Sequence, residues 1–310
     1  MSDPRFYPPR NFGWLEPYYA DPATATTVLL PVPYDSTTTA HPGARFGPQA
    51  MVDASADMEL FDLEVEDEPY RRGIATLPEV APHLGSPEAM VLRVRDLVGE
   101  WLDRGKLVGV LGGEHSIAIG PVLAHLARQE GASAGPRLSV LYLDAHADFR
   151  ASYLDTPYNH ACALRRMVEA GARPVHVGLR SAEREEYTEL RALGVPAFPA
   201  ARFPRPAQAA DEICAALGPD VYVSVDLDVI DSAALPAVGT PEPGGLSWRD
   251  VASLLEAVAA RRRIVGFDVV ELAPELGPPA AAQAAAKLAY RIIGLATRGR
   301  PYLPEPEAAP

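Results

Sequence analysis

Short runs of strand-forming apolar residues alternate with helical patterns along most of this chain. Between the runs lie segments with apolar residues at helical spacing, of which residues 87–104 form a long example. Strands that are apolar throughout are buried on both faces of a sheet, and helices between them imply parallel crossover connections. The sequence therefore predicts the α/β class, as a three-layer α/β/α domain with a mostly parallel central sheet. The predicted strands are residues 26–32, 73–77, 107–111, 138–143, 174–179, 221–225 and 264–270.

The composition is that of one folded body. Of the 310 residues 48% are apolar, and the chain has no internal repeat and no domain linker. Prolines and aromatic residues are frequent near the N-terminus, where they favour extended packing over helix. We expect an N-terminal arm at residues 1–24, a single domain at 25–300 and a C-terminal tail at 301–310.

Charge and cysteine content exclude several classes of partner. The formal net charge of −13 argues against nucleic acid or an anionic membrane surface and suits a small cationic substrate. Cys162 and Cys214 stand far apart, so we expect no disulfide framework. No secretory signal and no apolar run of transmembrane length is found, so we predict a cytoplasmic protein.

Potential ligands follow the apolar run at 138–143. Asp144, His146 and Asp148 come at every second position, so an extended segment would turn all three toward one face. The strand at 221–225 likewise runs into Asp226 and Asp228.

Two further strands end in the same way. Glu114 and His115 follow residues 107–111, and Glu271 follows residues 264–270. All these side chains therefore fall at the carboxyl ends of four predicted strands, the edge at which open α/β sheets bind ligands.

So many charged groups at one sheet edge would repel one another unless cations were bound, which predicts a metal site. Imidazole and carboxylate donors without thiolate suit Mn²⁺ better than structural Zn²⁺. Their number exceeds what one ion with an open position needs, whereas two ions bridged by carboxylates, with a hydroxide between them, fit. The predicted ligands are His115, Asp144, His146, Asp148, Asp226 and Asp228.

Six motifs occur in order along nearly the whole chain: GARFGPQA, GGEHS, DAHAD, SVDLDVID, GTPEPGGLS and DVVELAP. Together they resemble the ureohydrolase family of arginases and agmatinases, and agmatinases most of all. The resemblance implies an arginase-like catalytic domain, two Mn²⁺ per chain and hydrolysis of a guanidinium group by a metal-bridging hydroxide. It also implies a homo-oligomer, a trimer or a hexamer.

The resemblance assigns a role to each predicted ligand. Asp144 and Asp226 would bridge the two ions. His115 and Asp148 would complete the shell of one ion. The shell of the other ion would be completed by His146 and Asp228.

Further roles concern the substrate. Glu271 would bind the substrate guanidinium, and His160 of YNHACALRR would contact substrate and relay protons. Asp148 would hydrogen-bond the nucleophile and pass its proton to the leaving amine. Thr240 matches a position that lines the substrate pocket.

The segment between DAHAD and His160 separates members of the family. It is short here and lacks the Ser-, Thr- and Asn-rich insertion of arginases, which favours agmatine as substrate, with urea and putrescine as products. Ser232 and the residues after Glu271 depart from the family pattern and leave the contacts to the substrate tail open. The alternatives are 4-guanidinobutyrate, N1-aminopropylagmatine and, less well supported, arginine. Two further alternatives do not involve hydrolysis of a guanidinium group. One is a zinc-dependent amide deacetylase, an enzyme class that shares this fold, and the other is an inactive regulatory homologue.

Overall fold

The computed structural model describes residues 10–129, 138–203 and 206–305, with side chains of the last range from 208 onward. It contains eight strands in one sheet: β1 (Thr27–Val32), β2 (Ile74–Thr76), β3 (Leu107–Gly112), β4 (Ser139–Leu143), β5 (Arg173–Val177), β6 (Ala197–Phe198), β7 (Asp220–Asp226) and β8 (Arg263–Val270). The helices are α1 (Gly47–Ala54), α2 (Pro87–Asp103), α3 (Ile119–Ala127), α4 (Ala163–Glu169), α5 (Arg184–Ala192), α6 (Pro206–Ala216), α7 (Trp248–Ala259) and α8 (Ala280–Thr297).

The sheet runs in the order β2-β1-β3-β8-β7-β4-β5-β6, and every strand pairing is parallel. The strands that precede the predicted ligands, β3, β8, β7 and β4, are therefore the four central neighbours. Parallel strands present their carboxyl ends at one edge, so this order alone brings the four ligand-bearing loops together.

Helices cover both faces of the sheet. Apolar side chains of α1, α6, α7 and α8 pack with one face in the largest core cluster. Those of α2, α3, α4 and α5 pack with the other face. In β4, Leu141 and Leu143 belong to the first cluster and Val140 and Tyr142 to the second, as alternation along a strand requires. The predicted three-layer α/β/α fold is confirmed.

Two elements were not predicted. β6 has only two residues, too few for a periodic pattern. α6 lies in a proline-rich stretch, although Ala209, Ile213 and Leu217 recur at the four-residue spacing of a helix face and are buried. The prolines at its start hid a helical pattern that is present.

The ends of the chain pack against the same domain where they are described. Phe12 and Leu15 are buried in the largest core cluster. In the tail, the hydroxyl of Tyr302 donates to Asp67 at 2.8 Å and the amide of Leu303 donates to the carbonyl of Arg71 at 2.8 Å. Residues 1–9 of the predicted arm and 306–310 of the predicted tail lie outside the described residues. No helix in the described part of the chain is long and apolar enough to cross a membrane.

Candidate metal centre and active site

His115 lies at the centre of a first cluster of potential ligands. Its Nδ1 atom is 3.1 Å from Oδ2 of Asp144, 3.3 Å from Oδ2 of Asp148 and 3.3 Å from Oδ2 of Asp226. All four side chains are buried. Three carboxylates from two strands thus converge on one imidazole nitrogen.

His146 forms a second cluster beside the first. Its Nδ1 atom is 2.8 Å from Oδ2 of Asp228 and 3.6 Å from Oδ1 of Asp144. One potential ligand atom from each of His115, Asp144 and Asp148 lies within 4.8 Å of the others, and the same holds for Asp144, His146 and Asp228. Asp144 is common to both clusters, so the geometry suits two adjacent ions that share this carboxylate.

The segment after β4 is not extended throughout, which corrects one expectation. Asp148 has φ of 46°, in the left-handed region that non-glycine residues rarely occupy. This turn carries Asp148 to the His115 cluster while His146 lies with Asp228. The three side chains therefore divide between two clusters instead of sharing one face, and backbone strain of this kind is common at functional sites.

Backbone amides hold one oxygen of each of three carboxylates. Oδ1 of Asp144 accepts from the amide of His146 at 2.6 Å, Oδ1 of Asp226 from Asp228 at 2.8 Å, and Oδ1 of Asp228 from Ala145 at 3.0 Å. Among the described residues, no donor makes a well-aligned hydrogen bond to the other oxygen of Asp144 or Asp228, although both atoms are buried. These oxygens instead face the imidazoles of His115 and His146. Fixed carboxylates grouped with imidazoles in this way fit divalent cations, which bind oxygen and nitrogen donors.

The electrostatics of the clusters favour added positive charge. Burial, together with the neighbouring carboxylates, raises the pKa of Asp144 to about 6 and raises that of Asp226 well above its usual value. Burial acts to lower the pKa of His146, but the charge of Asp228 and hydrogen bonding outweigh it and raise that pKa to about 12. The metal-free cluster therefore draws protons into the site, and divalent ions would take their place.

Behind His115 lies a pair of residues that the sequence did not single out. Nε2 of His115 is 2.9 Å from Oγ of Ser224, and that hydroxyl donates to Oδ1 of Asp268 at 2.8 Å. Ser224 and Asp268 are fully buried on β7 and β8. An aspartate within the apolar run of β8 was the available signal, because a buried charge needs a partner.

Tyr142 was also missed. Its ring stacks on that of His115, with centroids 4.5 Å apart and an angle of 2° between the planes. Its hydroxyl donates to Oδ2 of Asp148 at 2.7 Å and lies 3.1 Å from Nδ1 of His115. A tyrosine in a buried strand has the pattern of an ordinary core residue, so the sequence held no signal for this contact.

A cavity of about 300 Å³ opens beside both clusters. It is lined by His115, His146, Asp148 and Asp226 and also by Glu271, His160 and Thr240, so all three predicted substrate-contacting residues meet here.

Glu271 is buried and lines the same cavity. Its φ is 66°, and Oε1 accepts from the backbone amide of His115 at 2.7 Å. Burial and the nearby charge of Glu114 raise the pKa of Glu271 to about 8. A cationic group bound here would relieve that destabilisation of the carboxylate.

His160 starts a short helix, and Asn159 caps it by accepting from the amide of Ala161 at 3.0 Å. The half-buried ring of His160 has Nε2 3.4 Å from Oγ1 of Thr39. Burial lowers the pKa of His160, so the ring is mainly neutral near pH 7 and free to accept a proton.

The outer wall of the cavity carries paired charges. Arg150 donates to Glu183 at 2.9 Å, lies 3.7 Å from Glu186 and covers the ring of Tyr153 at 4.3 Å. Glu183 and Glu186 also form the capping box that starts α5. With one cation between two carboxylates, this wall is acidic overall.

Fold and site together define an α/β protein with two adjoining clusters that could bind metal ions, beside a cavity lined by a buried glutamate. Comparison with known proteins agrees with this class. A sequence model of the arginase family matches residues 25–294. The chain therefore belongs to the arginase family, the ureohydrolase family predicted from its motifs.

Individual relatives match over most of their length. An N(1)-aminopropylagmatine ureohydrolase of Thermus thermophilus is 41% identical over 271 residues, covering 87% of this chain and 90% of that protein. An agmatinase of Pyrococcus horikoshii is 33% identical over 275 residues, covering 88% and 93%. The crystal structure of an agmatine ureohydrolase of Thermoplasma volcanium is similar with a TM-score of 0.82 and 29% identity, covering 94% of this chain and 96% of that one.

Proposed function

We propose that this protein hydrolyses the guanidinium group of a cationic guanidino amine and releases urea, with two Mn²⁺ ions per chain. The observation that carries the proposal is the pair of ligand clusters sharing Asp144 beside a cavity that buried Glu271 lines. In the net reaction, water adds across the bond between the guanidinium carbon and the alkyl nitrogen. The products are urea and a protonated amine.

The first cluster would hold one ion through His115 and Asp148, with Asp144 and Asp226 reaching both ions. The second would hold the other ion through His146 and Asp228. Carboxylate and imidazole donors without thiolate favour Mn²⁺ over structural Zn²⁺. Divalent cations supply Lewis acidity, which lowers the pKa of water toward neutrality.

The residues around the cavity would then orient substrate and move protons. The carboxylate of Glu271 can pair with the planar guanidinium through charge-assisted hydrogen bonds and so orient its central carbon. Asp148 would take a proton from the attacking water and pass it to the leaving nitrogen, and His160 would exchange protons with solvent. Thr240 lines the same cavity and would limit where the alkyl chain lies.

The charge of the cavity wall favours a cationic substrate tail. Arg150 would suit a carboxylate tail if it were unpaired, but Glu183 and Glu186 already neutralise it. This disfavours 4-guanidinobutyrate and arginine. The relative with 41% identity is named for N(1)-aminopropylagmatine, so we propose N1-aminopropylagmatine as the preferred substrate and agmatine, favoured by the sequence, as the second.

A product assay separates these candidates. Enzyme loaded with Mn²⁺ is incubated with N1-aminopropylagmatine, agmatine, 4-guanidinobutyrate and arginine, and kcat/KM is measured from urea release. We expect the highest kcat/KM for N1-aminopropylagmatine and the next for agmatine. Reversal of these two would return the assignment to agmatine, whereas a preference for either carboxylate-bearing compound would refute the proposed recognition of a cationic tail.

Metal analysis tests the other class of reaction. A zinc-dependent amide deacetylase would bind one ion and release acetate from an acetylated amine. The two clusters around Asp144 favour two ions. One bound ion per chain together with acetate release and no urea would contradict the proposal, and two bound ions with no turnover of any guanidino compound would favour the inactive regulatory alternative.

A further inference from the structure

Glu114 lies directly before His115 and has no assigned role, yet it is fully buried. One of its oxygens accepts from the hydroxyls of Thr37 and Ser116, each at 2.5 Å. The other accepts from the backbone amide of Thr37 at 2.7 Å. This carboxylate therefore fixes the loop at residues 37–39, of which Thr38 and Thr39 line the candidate active-site cavity.

The hydroxyl of Thr37 has two partners. It donates to Glu114, and its oxygen accepts from the backbone amide of His160 at 3.0 Å. A backbone amide can only donate, so the oxygen of Thr37 accepts from His160 and the proton of the same hydroxyl is directed to Glu114. A second contact joins the same segments, because the side-chain amide of Asn159 donates to the carbonyl of Thr37 at 3.3 Å.

These contacts hold the backbone of His160 and leave its ring available. Nδ1 of the ring is buried and has no hydrogen-bond partner within the described part of the chain. Nε2 lies 3.4 Å from Oγ1 of Thr39, in the same loop as Thr37. Thr37 itself bonds only the main chain from which the imidazole extends, and so positions the ring without occupying either of its nitrogens. A proton relay needs this combination, because it must stay in place while its nitrogens exchange protons.

We propose that Thr37 is a positioning residue that acts through His160, with Glu114 anchoring both its hydroxyl and its backbone amide. The inference rests on the proposed function, in which His160 relays protons. Its first test is Thr37→Val, which keeps the shape of the side chain and removes the hydroxyl. We expect kcat for urea release to fall roughly tenfold or more, with KM within about twofold and metal content unchanged.

Two variants make this result interpretable. Thr37→Ser restores the hydroxyl and is expected to return kcat to within about twofold of the unchanged enzyme. Thr297→Val is the matched control, because Thr297 is also buried and its hydroxyl donates within α8, to the carbonyl of Ile293 at 2.7 Å. Circular dichroism and thermal unfolding of each variant show whether a loss of turnover reflects a loss of folded protein.

A double-mutant cycle separates positioning from general packing. If Thr37 acts through His160, adding Thr37→Val to His160→Phe lowers kcat no further. Equal losses in the two backgrounds, or a failure of Thr37→Ser to recover activity, would overturn the inference. If His160→Phe leaves kcat unchanged, both the relay role and the inference fail. Absence of urea from every guanidino compound, with both ions bound, would instead refute the proposed function itself.

Discussion

Ser224→Ala should weaken metal binding although Ser224 touches no ion in any arrangement proposed above. Burial raises the pKa of Asp268 to about 6, so this carboxylate is ionised near neutral pH and accepts the Ser224 hydroxyl. The oxygen of Ser224 must then accept from Nε2–H of His115. In the metal-free protein burial acts to lower the pKa of His115, but hydrogen bonds to Asp144, Asp148 and Asp226 raise it well above its usual value, so Nδ1 carries a proton as well. A bound metal ion would replace that proton, and the Ser224 hydrogen bond would keep the remaining proton on Nε2.

The size of the effect follows from what the substitution removes. Alanine deletes the acceptor for Nε2–H of His115 and the donor to Asp268, and both groups remain buried. Loss of such an outer partner of a ligating histidine costs about 10- to 100-fold in metal affinity. That range equals about 1.4 to 2.8 kcal/mol of binding free energy.

The assay is calorimetric titration of metal-free protein with Mn²⁺, supported by metal analysis after dialysis. Ser139→Ala is the matched control, because Ser139 is also buried but lies at the start of β4, where its hydroxyl accepts from the amide of Gly218 at 2.8 Å. We expect the control to bind Mn²⁺ normally. Two ions bound to Ser224→Ala with affinity within about twofold of the unchanged protein would refute the reasoning.

Three further predictions test the site and the packing around it. Asp144→Asn alters the carboxylate common to both clusters, so metal analysis should show the loss of at least one ion. The value of kcat should fall by more than the ~100-fold typical of changes to outer partners of a metal ligand. Full activity would contradict the two-ion arrangement. In the metal-free protein the raised pKa values of Asp144, about 6, and Glu271, about 8, mean that the folded chain binds more protons than the unfolded chain, so stability falls as pH rises through this window. The gain in Tm on adding Mn²⁺ should therefore be larger at pH 8 than at pH 6. An equal gain at the two pH values would contradict the raised pKa values of these carboxyl groups. Gly113→Ala would place Cβ 1.9 Å from the carbonyl oxygen of Tyr34, so the free energy of unfolding measured with denaturant should fall by more than about 4 kcal/mol. In the control Gly105→Ala, the added Cβ meets nothing within 4 Å, so the free energy of unfolding should fall only by the cost of backbone strain.

The fold could be predicted because its signals are local. The central strands are mostly apolar runs, and a charged residue follows closely after each run. Once the strands are parallel, the position of those residues at the sheet edge follows from geometry. Even so, the order of the strands could not be read from the pattern, because β7 and β8 enter between β3 and β4 only through long-range pairing.

The residues that support the ligands were harder to predict. Ser224 and Asp268 face each other across β7 and β8, so their contact depends on a register that spacing along one strand does not give. Thr37 is followed by Thr38 and Thr39 in its loop, so residue type alone does not distinguish it from its neighbours. Residue type was enough to find groups that could bind metal, whereas the groups that orient them are defined by three-dimensional contacts.

The two supporting hydroxyls share one arrangement and should nevertheless give different phenotypes. In both cases a hydroxyl stands between a buried carboxylate and a histidine, as in Asp268–Ser224–His115 and Glu114–Thr37–His160. Ser224 contacts the ring of its histidine and so controls which nitrogen carries the proton. Thr37 contacts the backbone amide and so controls only where the ring lies. Ser224→Ala should therefore change Mn²⁺ affinity, and Thr37→Val should change kcat at full metal occupancy. If both variants lost metal to the same extent, the separation of these roles would be wrong.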